Sequence, residues 1–191
     1  MPKLYIIAGC NGAGKTTASY TILPEMLHCK EFVNADEIAR GLSPFQPERV
    51  AFEAGRIMLN RVQELLERNE DFAFETTLAS KTHLHTVRKA KQLGYEIILV
   101  FIWLESPELA EVRVRKRVSE GGHNIPQDVI RRRYFRGLTN LFRMFLPECN
   151  YYLMIDNSGN FPEVIVEFKD AKLTIRNNSV WELIKSHEHE R

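Results

Sequence analysis

The sequence has few cysteines and no long apolar run. Its 191 residues include only Cys10, Cys29 and Cys149, which are widely spaced and form neither a disulfide framework nor a C-x-x-C metal site. No run approaches the roughly 18 apolar residues of a membrane helix, and the N-terminal "LYIIAGC" is too short for a signal peptide. These absences predict a reduced, cytoplasmic protein without a membrane segment or a structural metal.

An excess of charge of one sign is also missing. The 26 Lys and Arg residues nearly balance the 25 Asp and Glu residues, so the net charge of +1 gives no argument for a nucleic-acid or membrane partner. The length favours one domain, and we treat residues 1–191 as such.

Apolar runs alternate with helical patterns along the chain. Strands are predicted at 4–9, 31–36, 71–76, 95–104 and 151–156, and helices at 15–23, 47–68, 81–93, from 106 onward, and at 127–145. The first helix should end by Leu23 because Pro24 disfavours helix at the residue before it. This order predicts a doubly wound, mostly parallel α/β sheet with helices on both sides. Residues 160–191 predict a β-hairpin that turns at Asp170 and Ala171, followed by a short amphipathic tail.

The stretch "GCNGAGKTT" directly follows the first predicted strand and fits the G-x-x-x-x-G-K-[ST] template. Backbone N–H groups of such a loop can hold the phosphates of ATP, and the following helix adds its positive N-terminal end. We expect Lys15 to lie between the β- and γ-phosphates and Thr16 to ligate Mg²⁺. The nucleotide-binding candidates are Gly9, Asn11, Gly12, Ala13, Gly14, Lys15, Thr16 and Thr17.

A switch GTPase is the first alternative for this loop. The segment "DNSG" at 156–159 fits the D-x-x-G pattern of a switch region. It lies near the end of the chain, and the sequence has no N-K-x-D motif for base recognition. We therefore interpret it as a turn after the last parallel strand.

Polar side chains follow the second and third predicted strands, at the rim where such sheets bind ligands. Transfer to an alcohol needs a group that takes or orients the hydroxyl proton, and Asp36 is a candidate because its strand is expected beside the phosphate loop. Glu75 and Thr77 suit hydrogen bonding to a polyhydroxylated acceptor. Alternatively, Asn34 or Asp36 only caps the next helix, and Thr77 or Ser80 caps the one after it. Spacing alone leaves these alternatives open.

A basic cluster occupies residues 112–138 around a Gly-Gly-His turn. Its eight cations are Arg113, Arg115, Lys116, Arg117, Arg131, Arg132, Arg133 and Arg136. Arginines on a mobile lid can neutralise a transferring phosphoryl group on closure, although most of these residues also fit solvated helix faces. RNA binding is a rival use, but Tyr134 and Phe135 are the cluster's only stacking aromatics. His123 is a candidate lid donor to nucleotide or substrate.

Four motifs, in this order and spacing, resemble the zeta-toxin family of P-loop kinases. They are "GCNGAGKTT", "NADEIARGLSP", "FETTLAS" and "RVSEGGHNIPQDVIRRRYFRGLTNLF", and the resemblance runs from about residue 3 to 157. It implies an ATP- and Mg²⁺-dependent kinase with an alcohol acceptor. Characterised toxins of the family phosphorylate the 3′-hydroxyl of the amino sugar in UDP-N-acetylglucosamine, and they have a cognate antitoxin protein.

The resemblance also implies roles for individual residues. Lys15 and Thr16 would bind the ATP phosphates and Mg²⁺, and Asp36 would be the base toward the sugar hydroxyl. Glu75 and Thr77 would hold the sugar nucleotide. Arg117 and Arg133 would be the lid arginines, and Arg40 and His123 complete the substrate-binding candidates.

The family's acceptor carries over less directly than its chemistry. Toxins of the family are usually longer, and the "GGHNIP" lid is typical of a compact branch whose acceptor the resemblance does not identify. Two alternatives therefore stay open. One is a kinase of a nucleotide or nucleic-acid end, and the other is a nucleotide-dependent module that binds a partner protein.

Overall fold

The computed structural model of the chain describes residues 1–122 and 124–189, and in them seven strands form one sheet. The strands are β1 (Lys3–Gly9), β2 (Phe32–Val33), β3 (Phe72–Thr76), β4 (Glu96–Trp103), β5 (Tyr151–Asp156), β6 (Glu163–Lys169) and β7 (Lys172–Ile175). Their order in the sheet is β2-β3-β1-β4-β5-β6-β7. The first five strands are parallel, and β6 and β7 are antiparallel. The predicted α/β sheet with a C-terminal hairpin is confirmed.

The strand beside β1 is β3 and not β2. β1 pairs with β3 from Leu4 to Ala8, whereas β2 pairs only with β3, through Phe32 and Val33. The expectation that the strand leading to Asp36 neighbours the phosphate loop was therefore wrong. The residues explain the order, because the fully buried apolar run of β3 suits an interior position and a two-residue strand suits an edge.

Seven α-helices connect and follow the strands. They are α1 (Lys15–Thr21), α2 (Ala35–Leu42), α3 (Ala51–Arg68), α4 (Thr82–Gln92), α5 (Pro107–Ser119), α6 (Gln127–Asn140) and α7 (Asn178–Ser186) in the part of the chain that the structure describes. Short 3₁₀ turns lie at Pro47–Val50, Leu146–Glu148 and His187–His189, and π-helical turns at Ile22–Met26 and Leu141–Phe145.

The first α-helix ends at Thr21, before Leu23, as the position of Pro24 predicted. α1 passes into the π-helical turn Ile22–Met26, which contains Pro24. Leu27 donates to the carbonyl of Ile22, five residues earlier, and this wider bond spans the proline, whose nitrogen has no hydrogen to donate.

The C-terminal hairpin turns where the sequence predicted. Asp170 and Ala171 have φ angles of 51° and 58° between the paired residues Lys169 and Lys172. Two successive positive φ angles suit the tight turn of a two-residue hairpin. In the described residues, none of the helices combines the length and the apolar character needed to cross a membrane.

Candidate active site

The loop between β1 and α1 brings backbone close to a neighbouring strand. A Cβ on Gly9 would lie 2.2 Å from the carbonyl oxygen of Ile102 in β4, so only glycine fits there. Gly14 has a φ of 89° at the N-terminus of α1, and no side chain of the described residues caps that helix. Its first N–H groups are therefore left for a ligand such as phosphate.

The carboxylate of Glu75, at the end of β3, lies against this loop. Its Oε2 accepts hydrogen bonds from the hydroxyl of Thr16 and the side-chain amide of Asn34, both at 2.8 Å. The Lys15 ammonium lies 3.5 Å from Oε1 and donates to the carbonyl oxygen of Cys10 at 2.9 Å. The Lys15 and Glu75 side chains are only 6% and 9% exposed, so this is a nearly buried ion pair.

The oxygens of Thr16 and Glu75 form a donor set that fits Mg²⁺. Mg²⁺ prefers oxygen ligands at about 2.1 Å, which places adjacent ligands of an octahedron about 3 Å apart. The Thr16 hydroxyl and the nearer Glu75 oxygen are 2.8 Å apart, close to that separation. The role of Glu75 in holding the acceptor stays a prediction; its observed contacts are with Thr16 and Lys15 of the phosphate loop and with Asn34.

Asn34 caps α2, so the Asp36 side chain takes no part in the cap. The Asn34 side-chain oxygen accepts from the backbone N–H groups of Asp36 at 2.9 Å and Glu37 at 3.4 Å. Among the described residues the Asp36 carboxylate has no hydrogen-bond or ion-pair partner. Asn34 was considered only as a cap. The bond from its side-chain amide to Glu75 links residues 41 positions apart and leaves no signal in the sequence.

Two cavities meet at the phosphate loop. The central cavity, of about 350 Å³, is lined by Asn11, Lys15, Asn34, Ala35, Asp36, Met58, Glu75, Thr76, Thr77, Ala79, Ser80, His83, Arg132, Arg133 and Arg136. The loop cavity, of about 250 Å³, is lined by Asn11, Gly12, Gly14, Lys15, Thr16, Thr17, Asp36, Glu75, Arg113 and Arg117. Four residues line both cavities, namely Asn11, Lys15, Asp36 and Glu75. They form the wall that the two cavities share.

The two predicted lid arginines lie on different sides of this wall. Arg117 of α5 lines the loop cavity, and Arg133 of α6 lines the central cavity with a guanidinium nitrogen 3.5 Å from the side-chain oxygen of Asn11. Arg131 points elsewhere, because it pairs with Glu108 at 2.7 Å and Glu111 at 2.6 Å and thereby ties α6 to α5. The helix that carries Arg133 is thus fixed to the helix that carries Arg117.

Asn157, which was not among the candidate site residues, supports the phosphate loop. Its side-chain amide donates to the carbonyl of Ala13 at 2.9 Å, and its own carbonyl accepts from Arg113 at 2.6 Å. Next to it, the Asp156 carboxylate accepts from the backbone N–H of Ser158, which forms the turn predicted after β5. The segment "DNSG" is therefore a turn that supports the phosphate loop.

His83, which was not among the candidate site residues, also lies at the site. It stacks on Phe74, with ring centroids 4.8 Å apart, and lines the central cavity from α4. Burial lowers the pKa of His83 from 6.5 to about 4, so the imidazole is neutral at pH 7.

The structure brings most predicted site residues together, with two exceptions. Thr77 joins Asp36 and Glu75 at the central cavity. Arg40 does not, because its half-exposed side chain pairs with Glu37 at 3.2 Å on the surface of α2 and lines neither cavity. His123 lies outside the described residues.

Comparison with known proteins shows several similar chains. An uncharacterized protein of Haemophilus influenzae is 26% identical over 132 residues, which are 69% of this chain and 92% of that protein. The crystal structure of AvrRxo1-ORF1:AvrRxo1-ORF2 with sulphate ions contains a chain with a TM-score of 0.79 at 17% identity. All of the present chain is covered there, and it spans 65% of that longer chain.

A chain in the structure of the PezAT chromosomal toxin–antitoxin system of Streptococcus pneumoniae also has this fold. Its matching chain has a TM-score of 0.67 at 16% identity, over 98% of the present chain and 86% of that chain. The family model for zeta toxin matches residues 1–151, which is most of the sequence. The chain therefore belongs to the zeta toxin family, and its sheet has the P-loop kinase fold.

Proposed function

We propose that the chain is an ATP-dependent kinase that transfers the γ-phosphoryl group to a hydroxyl of a small molecule in the central cavity. The observation that carries this proposal is the position of Asp36. Asp36 lines both the cavity beside the phosphate loop and the cavity beyond it. A group between donor and acceptor can take the proton of the attacking hydroxyl. Family membership and fold support a phosphotransferase.

On the nucleotide side, the backbone N–H groups at the start of α1 hold the phosphates. Lys15 exchanges its contacts with the Cys10 carbonyl and Glu75 for the β- and γ-phosphates. Thr16 and Glu75 would hold Mg²⁺, which when bound would neutralise phosphate charge. Arg117, in the loop cavity, adds a cation for the charge that develops during transfer.

On the acceptor side, Asp36 orients the hydroxyl and takes its proton. The hydroxyl oxygen forms a bond to the γ-phosphorus, the bond from that phosphorus to the bridging oxygen breaks, and ADP leaves. Arg133 faces this reaction from the central cavity. Thr77 and the neutral imidazole of His83 supply hydrogen bonds for further acceptor groups.

UDP-N-acetylglucosamine is the first acceptor to test, because the resemblance to characterised zeta toxins implies it. The central cavity, at about 350 Å³, has the size of a small-molecule site. Family membership and the similarity to the PezAT system also support an antitoxin protein as a partner that regulates the enzyme.

The experiment is ADP release from Mg-ATP with and without UDP-N-acetylglucosamine, followed by mass analysis of the acceptor. The proposal predicts stimulated ADP release and a gain of one phosphate by the acceptor. Lys15→Ala should abolish this activity, whereas Lys172→Ala, an exposed lysine in the hairpin, should leave it unchanged. If UDP-N-acetylglucosamine fails, a panel of other hydroxylated metabolites and nucleotides follows. ATP binding without ADP release for any acceptor would contradict the proposal and favour a partner-binding module.

A further inference from the structure

A chain of hydrogen bonds joins the phosphate loop to the backbone of Asp36. The Thr16 hydroxyl and the Asn34 side-chain amide both donate to Oε2 of Glu75, each at 2.8 Å. The Asn34 side-chain oxygen in turn accepts from the backbone N–H of Asp36 at 2.9 Å. Asn34 is therefore the link between the carboxylate that contacts the phosphate loop and the helix that carries the candidate base.

Strand pairing places Asn34 beside Glu75. The parallel strands β2 and β3 pair Val33 with Phe74, and Asn34 and Glu75 are the next residues along each strand direction. β2 pairs through only two residues, so its ladder ends immediately before α2 begins. The bond from Asn34 to Glu75 carries the connection between sheet and helix one step further, with side-chain atoms.

Asparagine is a residue type that suits both ends of this link. The backbone N–H groups of Asp36 and Glu37 need an acceptor, and the Glu75 carboxylate needs a donor. A side-chain amide supplies both, whereas an aspartate has no hydrogen to donate and would repel Glu75. The Asn34 side chain is 5% exposed, and its oxygen and its nitrogen both bond to the protein. Its orientation is therefore fixed from two sides.

We propose that Asn34 is a positioning residue, which holds the Asp36 carboxylate in place relative to the phosphate loop through its bond to Glu75. This inference rests on the proposed kinase function and adds a residue that acts through Asp36. Among the described residues the Asp36 side chain has no hydrogen-bond or ion-pair partner of its own, so its position follows from that of its backbone. With Mg²⁺ between them, Thr16 and Glu75 would stay linked, and the chain of contacts would persist.

Direct contact with the acceptor is the rival role for Asn34, because Asn34 lines the central cavity. A residue that binds the acceptor contributes to acceptor affinity. A residue that positions Asp36 contributes to kcat instead, and it has no effect once the Asp36 carboxylate is gone. The observed contacts favour positioning, since both polar atoms of the Asn34 side chain already bond to the protein.

The first experiment measures kcat and the acceptor KM of Asn34→Ser with saturating Mg-ATP and the acceptor that ADP release identifies. Serine keeps a capping oxygen for α2 and lacks the amide donor to Glu75. Misplacement of a catalytic group by about 1 Å costs about 100-fold in rate. We therefore expect kcat to fall about 10- to 100-fold, while KM changes by less than about twofold. Asn177→Ser, at the matching cap of α7, should keep both values.

The double variant of Asn34→Ser and Asp36→Asn separates positioning from a general structural role. If Asn34 acts through Asp36, the double variant has the same kcat as Asp36→Asn alone. A further decrease of kcat in the double variant would overturn the proposal. So would an unchanged kcat in Asn34→Ser, or an effect of that substitution confined to KM.

The second experiment needs no turnover. Hydrogen exchange of the backbone N–H groups of Asp36 and Glu37, which bond to Asn34, is followed by NMR with and without Mg²⁺ and the non-hydrolysable ATP analogue AMP-PNP. The proposal predicts that the nucleotide slows this exchange about fivefold or more in the unchanged protein and not in Asn34→Ser. The N–H of Val180, which bonds to the cap Asn177, is the control and should not respond.

The two experiments separate failure of this inference from failure of the kinase proposal. Exchange that does not respond to the nucleotide in the unchanged protein would overturn the role of Asn34, even if Asn34→Ser does not fold. The same slowing in Asn34→Ser as in the unchanged protein would also overturn it. Slowing that depends on Asn34, in a protein that phosphorylates no acceptor, would refute the kinase proposal and leave the link from the phosphate loop to α2 established.

Discussion

Replacing Asn34 with alanine should destabilise the protein more than the loss of an ordinary helix cap does. The Asn34 side chain is 5% exposed, caps α2 through its oxygen and donates to the Glu75 carboxylate through its nitrogen. Loss of an N-cap costs about 1 kcal/mol, and loss of a hydrogen bond to a charged group costs about 1.5–3 kcal/mol. Together they predict a decrease of about 2.5–4 kcal/mol in the free energy of unfolding.

The assay is urea unfolding at pH 7, with Asn177→Ala as the matched control. Asn177 caps α7 through the backbone N–H of Val180 and has no carboxylate partner among the described residues. We expect that control to lose only about 1 kcal/mol. Asn34→Ser keeps a capping oxygen and lacks the amide donor, so it should recover the capping part alone. If Asn34→Ala loses no more than Asn177→Ala, the contact with Glu75 contributes nothing measurable and the reasoning is wrong.

Two further substitutions test His83, which lines the central cavity, and Gly137, which packs against the Thr77 segment. His83 has a pKa lowered by burial from 6.5 to about 4, so the unfolded state binds more protons between these values and stability falls as the pH falls. Between pH 7 and pH 5 this titration lowers the free energy of unfolding by about 2 kcal/mol. Urea unfolding at the two pH values should therefore show a decrease that is about 2 kcal/mol smaller in His83→Phe than in the unchanged protein. An equal decrease in the variant would show that His83 is not the titrating group. Gly137→Ala should lower the free energy of unfolding by about 1–3 kcal/mol, because the added Cβ would lie 2.5 Å from the carbonyl oxygen of Thr77. Gly55→Ala, which has open space around it, should raise the free energy of unfolding by up to about 1 kcal/mol. Thermal unfolding measures both changes. Equal effects of the two glycine substitutions would contradict the close packing of α6 on the Thr77 segment.

Most of the fold could be predicted because its signals are local. The apolar runs of β1 and β4, the helical pattern of α3 and the turn at Asp170 each depend on neighbouring residues. The position of β3 between β1 and β2 could not be predicted by the same means. Strand order depends on which strands bury more surface and not on the pattern within any one strand.

The candidate site shows the same distinction between local signals, which could be predicted, and long-range contacts, which could not. The phosphate loop is recognisable because its residues are contiguous. Asp36 is recognisable because its motif occurs in the same order and spacing as in the zeta-toxin family. The contacts of Glu75 with Thr16 and Asn34 join residues 59 and 41 positions apart, so no local pattern contains them. The hydrogen bond from Asn157 to Ala13 of the phosphate loop likewise joins residues 144 positions apart.

The most direct test of the proposed chemistry is the turnover of Asp36→Asn with Mg-ATP and the acceptor that ADP release identifies. Glu37→Gln is the control, because Glu37 is the neighbouring carboxylate and pairs with Arg40 on the surface. If Asp36 takes the hydroxyl proton, kcat falls about 10²- to 10⁴-fold in Asp36→Asn, while the affinity for a fluorescent ATP analogue stays the same. Glu37→Gln should keep both values. Unchanged kcat in Asp36→Asn would remove Asp36 from the reaction and contradict the account.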